Sequence, residues 1–331
     1  MSCVVRESDQ ASGKKKLNEY TLEKDVEWAT PEGFSLTMDI YTPDAGKNNY
    51  PVFIIYHGGG WLINDKSIMN EMSKYIVEHA DYVVCNVNYR LLIDNDNTIT
   101  MNQIVEDAFG ALLWIKENIS KYKGDPGRIA VSGDSAGGHL AAMIVNCGNK
   151  LSSAGFDSIP LGFNPTYLPE GMTAEEVAEK EGLAVQAAAL NYPGTDIYQT
   201  CLGNFETNEN FFWQFSRTQA RGIFGDKINA KDNPEYYKAC SPIYTIPSAE
   251  ERSLPPQLCS VGTEDNLTTP VLITEYAEAL KNAGHEVEYW EHEGRPHAYL
   301  DSGSNEYLGT SFKKDAPIAI DRIIEFLDKV F

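Results

Sequence analysis

The stretch Arg128-Ile129-Ala130-Val131-Ser132-Gly133-Asp134-Ser135-Ala136-Gly137-Gly138-His139-Leu140-Ala141-Ala142-Met143 decides the fold. Its first five residues form an apolar run of strand character, and Gly138 to Met143 form a small-residue run of helix character. Between them, Gly133 to Gly137 fits G-x-S-x-G, the pattern that sets a serine on a strained strand-to-helix turn with its hydroxyl exposed. The flanking glycines let chain segments crowd where a side chain would clash. Helix start and nucleophile then coincide, and the N–H of Ala136 is a natural donor to developing negative charge.

Upstream, Pro51-Val52-Phe53-Ile54-Ile55-Tyr56 and Tyr82-Val83-Val84-Cys85-Asn86-Val87 are continuous apolar runs of the kind buried on both faces. A crossover helix fits residues 67–79 between them. Residues 23–29 and 36–41 read as two strands joined through the turn Thr30-Pro31-Glu32-Gly33. Ile104, Ala108, Ala111, Ile115 and Ile119 recur at helical spacing over 101–119, a stripe that faces core. Downstream strands are expected at 187–190, 257–261 and 286–291, with a helix over 271–283 and a last one carrying Ile320, Ile324, Leu327 and Phe331. Strand–helix alternation predicts an α/β chain with a mostly parallel central sheet and helices on both faces. We expect residues 1–331 to form a single domain.

Two stretches interrupt the alternation. Residues 151–183 read as a loop with a short acidic surface helix. Residues 196–240 are rich in aromatics: Phe205, Phe211, Phe212, Trp213, Phe215, Phe224, Tyr236 and Tyr237. These insertions are expected to form a cap or lid. Their aromatics either line a pocket that excludes water or form the segment's own small core, and the sequence leaves both readings open.

Composition limits the partners. With 48 acidic against 27 basic residues, the formal charge of −21 argues against nucleic acid and anionic membrane surfaces, which select basic patches. The first sixteen residues are polar, end in Lys14-Lys15-Lys16 and have no apolar core, so neither a signal peptide nor a membrane anchor is read there, and a cytoplasmic setting is expected. Six cysteines without a C-x-x-C pair read as buried thiols rather than disulfides. No metal is expected, because His292-Glu293-Gly294-Arg295-Pro296-His297 lacks the spacing and the helix of a zinc motif.

A serine hydroxyl becomes a nucleophile only when a base takes its proton, and the base needs an acid to hold its tautomer. With this elbow, acid and histidine follow the serine in the chain, on loops after later strands. Asp265, in Gly262-Thr263-Glu264-Asp265, and His297, in Arg295-Pro296-His297-Ala298, meet that requirement. Glu264 and His292 are their rivals; His292 still belongs to the strand and projects from the sheet, so Asp265 and His297 are preferred. His79 and His285 read as solvent-facing residues at element ends, His139 as a packing residue and His57 as a tie for its loop. That loop, His57-Gly58-Gly59-Gly60-Trp61, follows the third strand, and its bare N–H groups at Gly58 and Gly59 can join Ala136 in an oxyanion hole. Trp61, Tyr192, Phe212 and Trp213 are the expected substrate-binding residues.

Together with Asn88-Tyr89-Arg90-Leu91, Gly124-Asp125-Pro126-Gly127-Arg128-Ile129, Asn191-Tyr192-Pro193 and Ser241-Pro242, these motifs resemble the hormone-sensitive-lipase-like esterases of the α/β-hydrolase superfamily. The resemblance covers about residues 23–150 and 185–331. It implies Ser135 as nucleophile, Asp265 as acid, His297 as base, an oxyanion hole of Gly58, Gly59 and Ala136, no cofactor, and small-molecule carboxylic esters, short to medium in the acyl chain and of acetyl type, as substrates. The short segment before the first strand is similar to that of the acetyl-esterase branch, and 151–183 departs from the pattern. An arylformamidase-like amide hydrolase is the alternative enzyme. A non-catalytic receptor of the same fold is the alternative binder, opposed by the intact His297. A homodimer through the terminal helix and edge strand is left open.

Overall fold

The continuous apolar runs become the inner strands of one sheet. In the computed structural model, which describes residues 17–331, the sheet has eight strands in the order β1-β2-β4-β3-β5-β6-β7-β8. These are β1 (Tyr20–Ala29), β2 (Leu36–Pro43), β3 (Tyr50–Tyr56), β4 (Val83–Val87), β5 (Gly124–Asp134), β6 (Ala187–Asn191), β7 (Gln257–Gly262) and β8 (Val287–His292). β1 and β2 pair antiparallel, as do β2 and β4, and every other neighbouring pair is parallel. All residues of β4, β6 and β7 are buried. Successive strand side chains point to opposite faces, so both faces of the sheet are covered. The reading of the first sixteen residues, and Cys3 with them, lies outside the described residues.

The expected hairpin opens the sheet, and β1 begins at Tyr20 rather than at residue 23 because Tyr20, Thr21 and Leu22 pair with Pro43, Thr42 and Tyr41. Helices Asn70–His79 and Phe312–Leu327 pack on each other, as do Met101–Asn118 and Ala136–Cys147. The helix Met101–Asn118 starts in a capping box, the Thr100 N–H donating to Gln103 Oε1 at 2.8 Å, and buries the predicted stripe. Cys85, Cys147, Cys201, Cys240 and Cys259 are buried free thiols. Among the described residues no helix is long and apolar enough to cross a membrane.

Two histidines are not where the sequence reading put them. His285 is buried, with Nε2 2.7 Å from the Pro247 carbonyl, and His79 is half-buried, stacked on Tyr75 with Nδ1 2.8 Å from its carbonyl. Each imidazole meets a main-chain carbonyl, which draws the ring inward and away from solvent.

The first insertion is held by the helix Met101–Asn118. Glu106 Oε1 accepts from the Asn164 N–H at 3.1 Å, the Glu106 carbonyl accepts from the Thr166 N–H at 3.1 Å, and the Thr166 hydroxyl donates to Asp107. Asp107 is fully buried and receives a bidentate pair from Arg90, Nε at 2.9 Å and a terminal nitrogen at 2.7 Å. The two insertions meet where Phe156 stacks on Phe224, ring centroids 5.9 Å apart. The aromatics of 196–240 divide: Phe205, Trp213 and Tyr237 are buried in packing, whereas Phe211 and Phe215 are exposed.

Two stability outcomes follow from this anchoring. Asp107→Ala strands the Arg90 guanidinium in the interior and is expected to cost about 3–5 kcal/mol in urea denaturation; a loss below about 1 kcal/mol means that the pair is structurally idle. Burial pushes the Glu106 carboxyl up to about 8, whereas in the unfolded chain it titrates near 4.5. The folded state therefore prefers the protonated acid, and its stability falls as pH rises from 4.5 to about 8, by at most about 5 kcal/mol. Glu106→Gln removes that loss, so its stability relative to wild type should climb between pH 5 and 8; a difference that does not change with pH contradicts the assignment.

Candidate active site

Ser135 lies between β5 and the helix Ala136–Cys147 with φ 51° and ψ −115°, a conformation that side-chain-bearing residues rarely adopt. Backbone crowding fixes it. A Cβ on Gly137 would lie 1.9 Å from the Tyr56 carbonyl oxygen, and one on Gly133 would lie 2.3 Å from the Gly137 carbonyl. The Ser135 N–H donates to the Asn191 carbonyl at 2.9 Å. The Asn191 side chain donates to the Gly133 carbonyl at 3.2 Å and accepts from Ser260 Oγ at 2.9 Å. Asn191, quoted above only as part of a motif, thus buttresses the turn.

The acid and the imidazole arrive from the ends of β7 and β8. Asp265 is 2% exposed, whereas Glu264 is exposed at the mouth. Asp265 Oδ1 accepts from the N–H groups of Leu267 and Thr268 at 2.8 and 2.9 Å, and Oδ2 accepts from Thr268 Oγ1 at 3.1 Å. The same Oδ2 lies 2.7 Å from His297 Nδ1, and His297 Nε2 lies 2.9 Å from Ser135 Oγ. Gly262 makes the approach possible, because a Cβ there would sit 2.1 Å from the Arg295 carbonyl oxygen in the loop that carries His297. Tyr192 sets its ring edge-on to His297 at 4.8 Å. His292 points away, buried with Nε2 2.8 Å from the Asp315 carbonyl.

The glycine loop corrects one expectation. The Gly58 N–H donates to Asp134 Oδ1 at 2.7 Å, so it is committed to holding the loop against the elbow rather than free for a ligand. The N–H groups of Gly59 and Ala136 have no acceptor among the described residues, and Gly59 lines the same cavity as Ser135. Burial pushes the Asp134 carboxyl up to about 6, opposed by the positive charge His297 can carry and by the Gly58 N–H. His57 is buried, stacked on Tyr89 at 4.3 Å, and Tyr89 donates its hydroxyl to the His57 carbonyl at 2.6 Å. His139 accepts from Trp61 Nε1 at Nδ1, 3.2 Å away, and its Nε2–H faces the Cys240 carbonyl at 2.8 Å. Burial lowers both imidazoles to about 4, so both remain neutral.

Ser135 and His297 open into a cavity of about 460 Å³. Of the four expected substrate-binding residues only Phe212 lines it. Trp61 and Tyr192 are buried behind it because the indole N–H and the phenol find partners inward, on His139 and on the Leu300 N–H. Trp213 belongs to the packing of the second insertion. The wall instead includes Phe211, Phe215, Leu267, Asp301 and Tyr307. Phe211 and Phe215 stood in the aromatic run, while nothing in the pattern singles out Asp301 or Tyr307. Among the described residues no three His, Cys, Asp or Glu side chains are grouped to hold a metal ion.

Known proteins agree with this architecture. Residues 38–280 match the BD-FAE family model. Carboxylesterase NlhH of Mycobacterium tuberculosis is 32% identical over 137 residues, 41% of this chain and 40% of that protein, so the match spans about two fifths of the relative's length. AB hydrolase superfamily protein C1039.03 of Schizosaccharomyces pombe is 27% identical over 83% of this chain and 71% of its own. The propionate-bound structure of esterase 2 from the planctomycete Thermogutta terrifontis superposes with a TM-score of 0.61 over 93% of this chain and 94% of that one, at 22% identity. The eight-stranded, mostly parallel sheet is the α/β-hydrolase fold, and the chain belongs to the BD-FAE family.

Proposed function

We propose that this chain is a serine carboxylic-ester hydrolase acting through an acyl-enzyme on Ser135. The observation that carries the reading is the unbroken hydrogen-bond chain from Asp265 through His297 to Ser135 Oγ, 2.7 and 2.9 Å, at the floor of a mostly apolar cavity. The names of relatives such as carboxylesterase NlhH support it. Ser135 Oγ attacks the ester carbonyl as His297 Nε2 takes its proton, which is then delivered to the departing alcohol. Asp265 holds the Nδ1–H tautomer and stabilises the imidazolium. Charge on the carbonyl oxygen is met by the N–H groups of Gly59 and Ala136. Water, deprotonated by the same histidine, then attacks the acyl-enzyme and frees Ser135. The positioned imidazole favours hydrolysis over the receptor alternative.

The cavity volume fits short to medium acyl chains. The buried free thiols support a reducing, cytoplasmic setting.

Ser135→Ala should lower kcat on p-nitrophenyl butyrate by about 10⁴–10⁶-fold, and Asp265→Asn by about 10⁴-fold through loss of the tautomer. Mutant rates equal to wild type contradict the assignment. Across the C2 to C16 p-nitrophenyl esters, kcat/KM should peak at C8 or below; a maximum at C16 overturns the size argument.

A further inference from the structure

The mouth of the cavity carries a charge pattern that ester hydrolysis alone does not require. Asp134, at the floor, and Glu264 and Asp301 line the cavity, and no lysine or arginine does. The Asp301 carboxyl group makes no hydrogen bond or ion pair among the described residues, its N–H alone donating to the Ala298 carbonyl at 3.3 Å, although it lies only four residues beyond His297. Phe211, Phe215 and Tyr307 line the same cavity as Asp301 and yet are 42%, 64% and 90% exposed. Large aromatic faces left in water at the rim of one cavity mark a surface that a ligand covers. The negative face of an aromatic ring attracts cations, and a carboxyl group beside such rings adds a formal charge to the attraction.

We propose that this mouth selects esters whose alcohol portion carries a permanent positive charge of the quaternary ammonium type, with Asp301 and the rings of Phe215 and Tyr307 receiving the cation. The inference rests on the ester-hydrolase reading above. Anionic alcohols meet like charge on the exposed Glu264, and the net charge of −21 steers cations toward the surface as a whole. Burial and the neighbouring Asp134 hold the Asp301 carboxyl well above the usual carboxylate range. A bound cation favours its ionised form, and the displaced proton goes to solvent. Asp301 is thus a specificity-determining residue and takes no part in the acyl transfer.

Butyrylcholine and 3,3-dimethylbutyl butyrate have the same shape and differ in charge alone, so the ratio of their kcat/KM values isolates the cation. Wild type should prefer the choline ester about tenfold at low ionic strength, with the ratio falling as salt is added. Asp301→Asn and Phe215→Leu should each bring the ratio toward one; a fold defect lowers both substrates together and leaves it unmoved. Calorimetric binding of choline and of 3,3-dimethylbutan-1-ol to the Ser135→Ala protein reads the same preference without turnover. Hydrolysis of both esters with a ratio of one or less, or a ratio untouched by Asp301→Asn, overturns the inference and leaves the hydrolase reading standing. Choline-selective binding with neither ester turned over upholds the cation site and overturns the hydrolase reading.

Discussion

The site depends on a steric constraint at Ser135. A non-glycine residue at φ 51° is a strained state that persists only where the surroundings leave no alternative. Here the Tyr56 carbonyl oxygen presses on Gly137, the Gly137 carbonyl presses on Gly133, and Asn191 grips the turn from β6. Three parallel strands therefore fix one dihedral angle. Strands β3, β5 and β6 are neighbours in the sheet, so the hydroxyl is aimed by the most buried part of the molecule rather than by a mobile loop.

From that fixed point the other groups are positioned by short-range contacts. Asp134, next to Ser135, reaches across to the Gly58 N–H and locks the glycine loop after β3 onto the elbow after β5. Gly262 brings the loop after β8 down onto the end of β7. The Asp265 carboxylate is held by two main-chain N–H groups and the Thr268 hydroxyl before it meets His297. The dipoles around Asp265 and His297 are thus oriented by the fold itself.

The sheet, the elbow and the meeting of Ser135, His297 and Asp265 could be read from the sequence because each is written in local chemistry. Apolar runs specify strands, glycines beside a serine specify a tight turn, and strand ends specify which Asp and which His can reach it. The substrate wall could not be read that way. Trp61 and Tyr192 look like pocket residues by type and proximity to motifs, yet their polar atoms are satisfied inward by His139 and Leu300. Tyr307 reaches the mouth from the turn of a two-stranded hairpin, Ser304–Asn305 with Thr310–Ser311, and Asp301 from the segment just before it, and their placement is a tertiary matter. Gly58 shows the same limit on a smaller scale. Three consecutive glycines offer three N–H groups, and only the packed Asp134 reveals that the first is taken.

Buried carboxyl groups tie the insertions to the sheet, and each is accommodated differently. Asp107 is paired with Arg90, Asp134 accepts the Gly58 N–H while burial raises its carboxyl to about 6, and Glu106 is held as the neutral acid by burial. The first and the last of these lie side by side on the helix Met101–Asn118 and hold Thr166 and Asn164 of the first insertion. That insertion meets the second through Phe156 and Phe224, and the second supplies Phe211, Phe212 and Phe215 to the cavity. A series of contacts therefore relates an ion pair in the core to the insertion that supplies the aromatic wall beside Ser135. In an interior packed as densely as an organic crystal a shift at one residue is felt by its neighbours, so the charges beneath the first insertion bear on the position of the second.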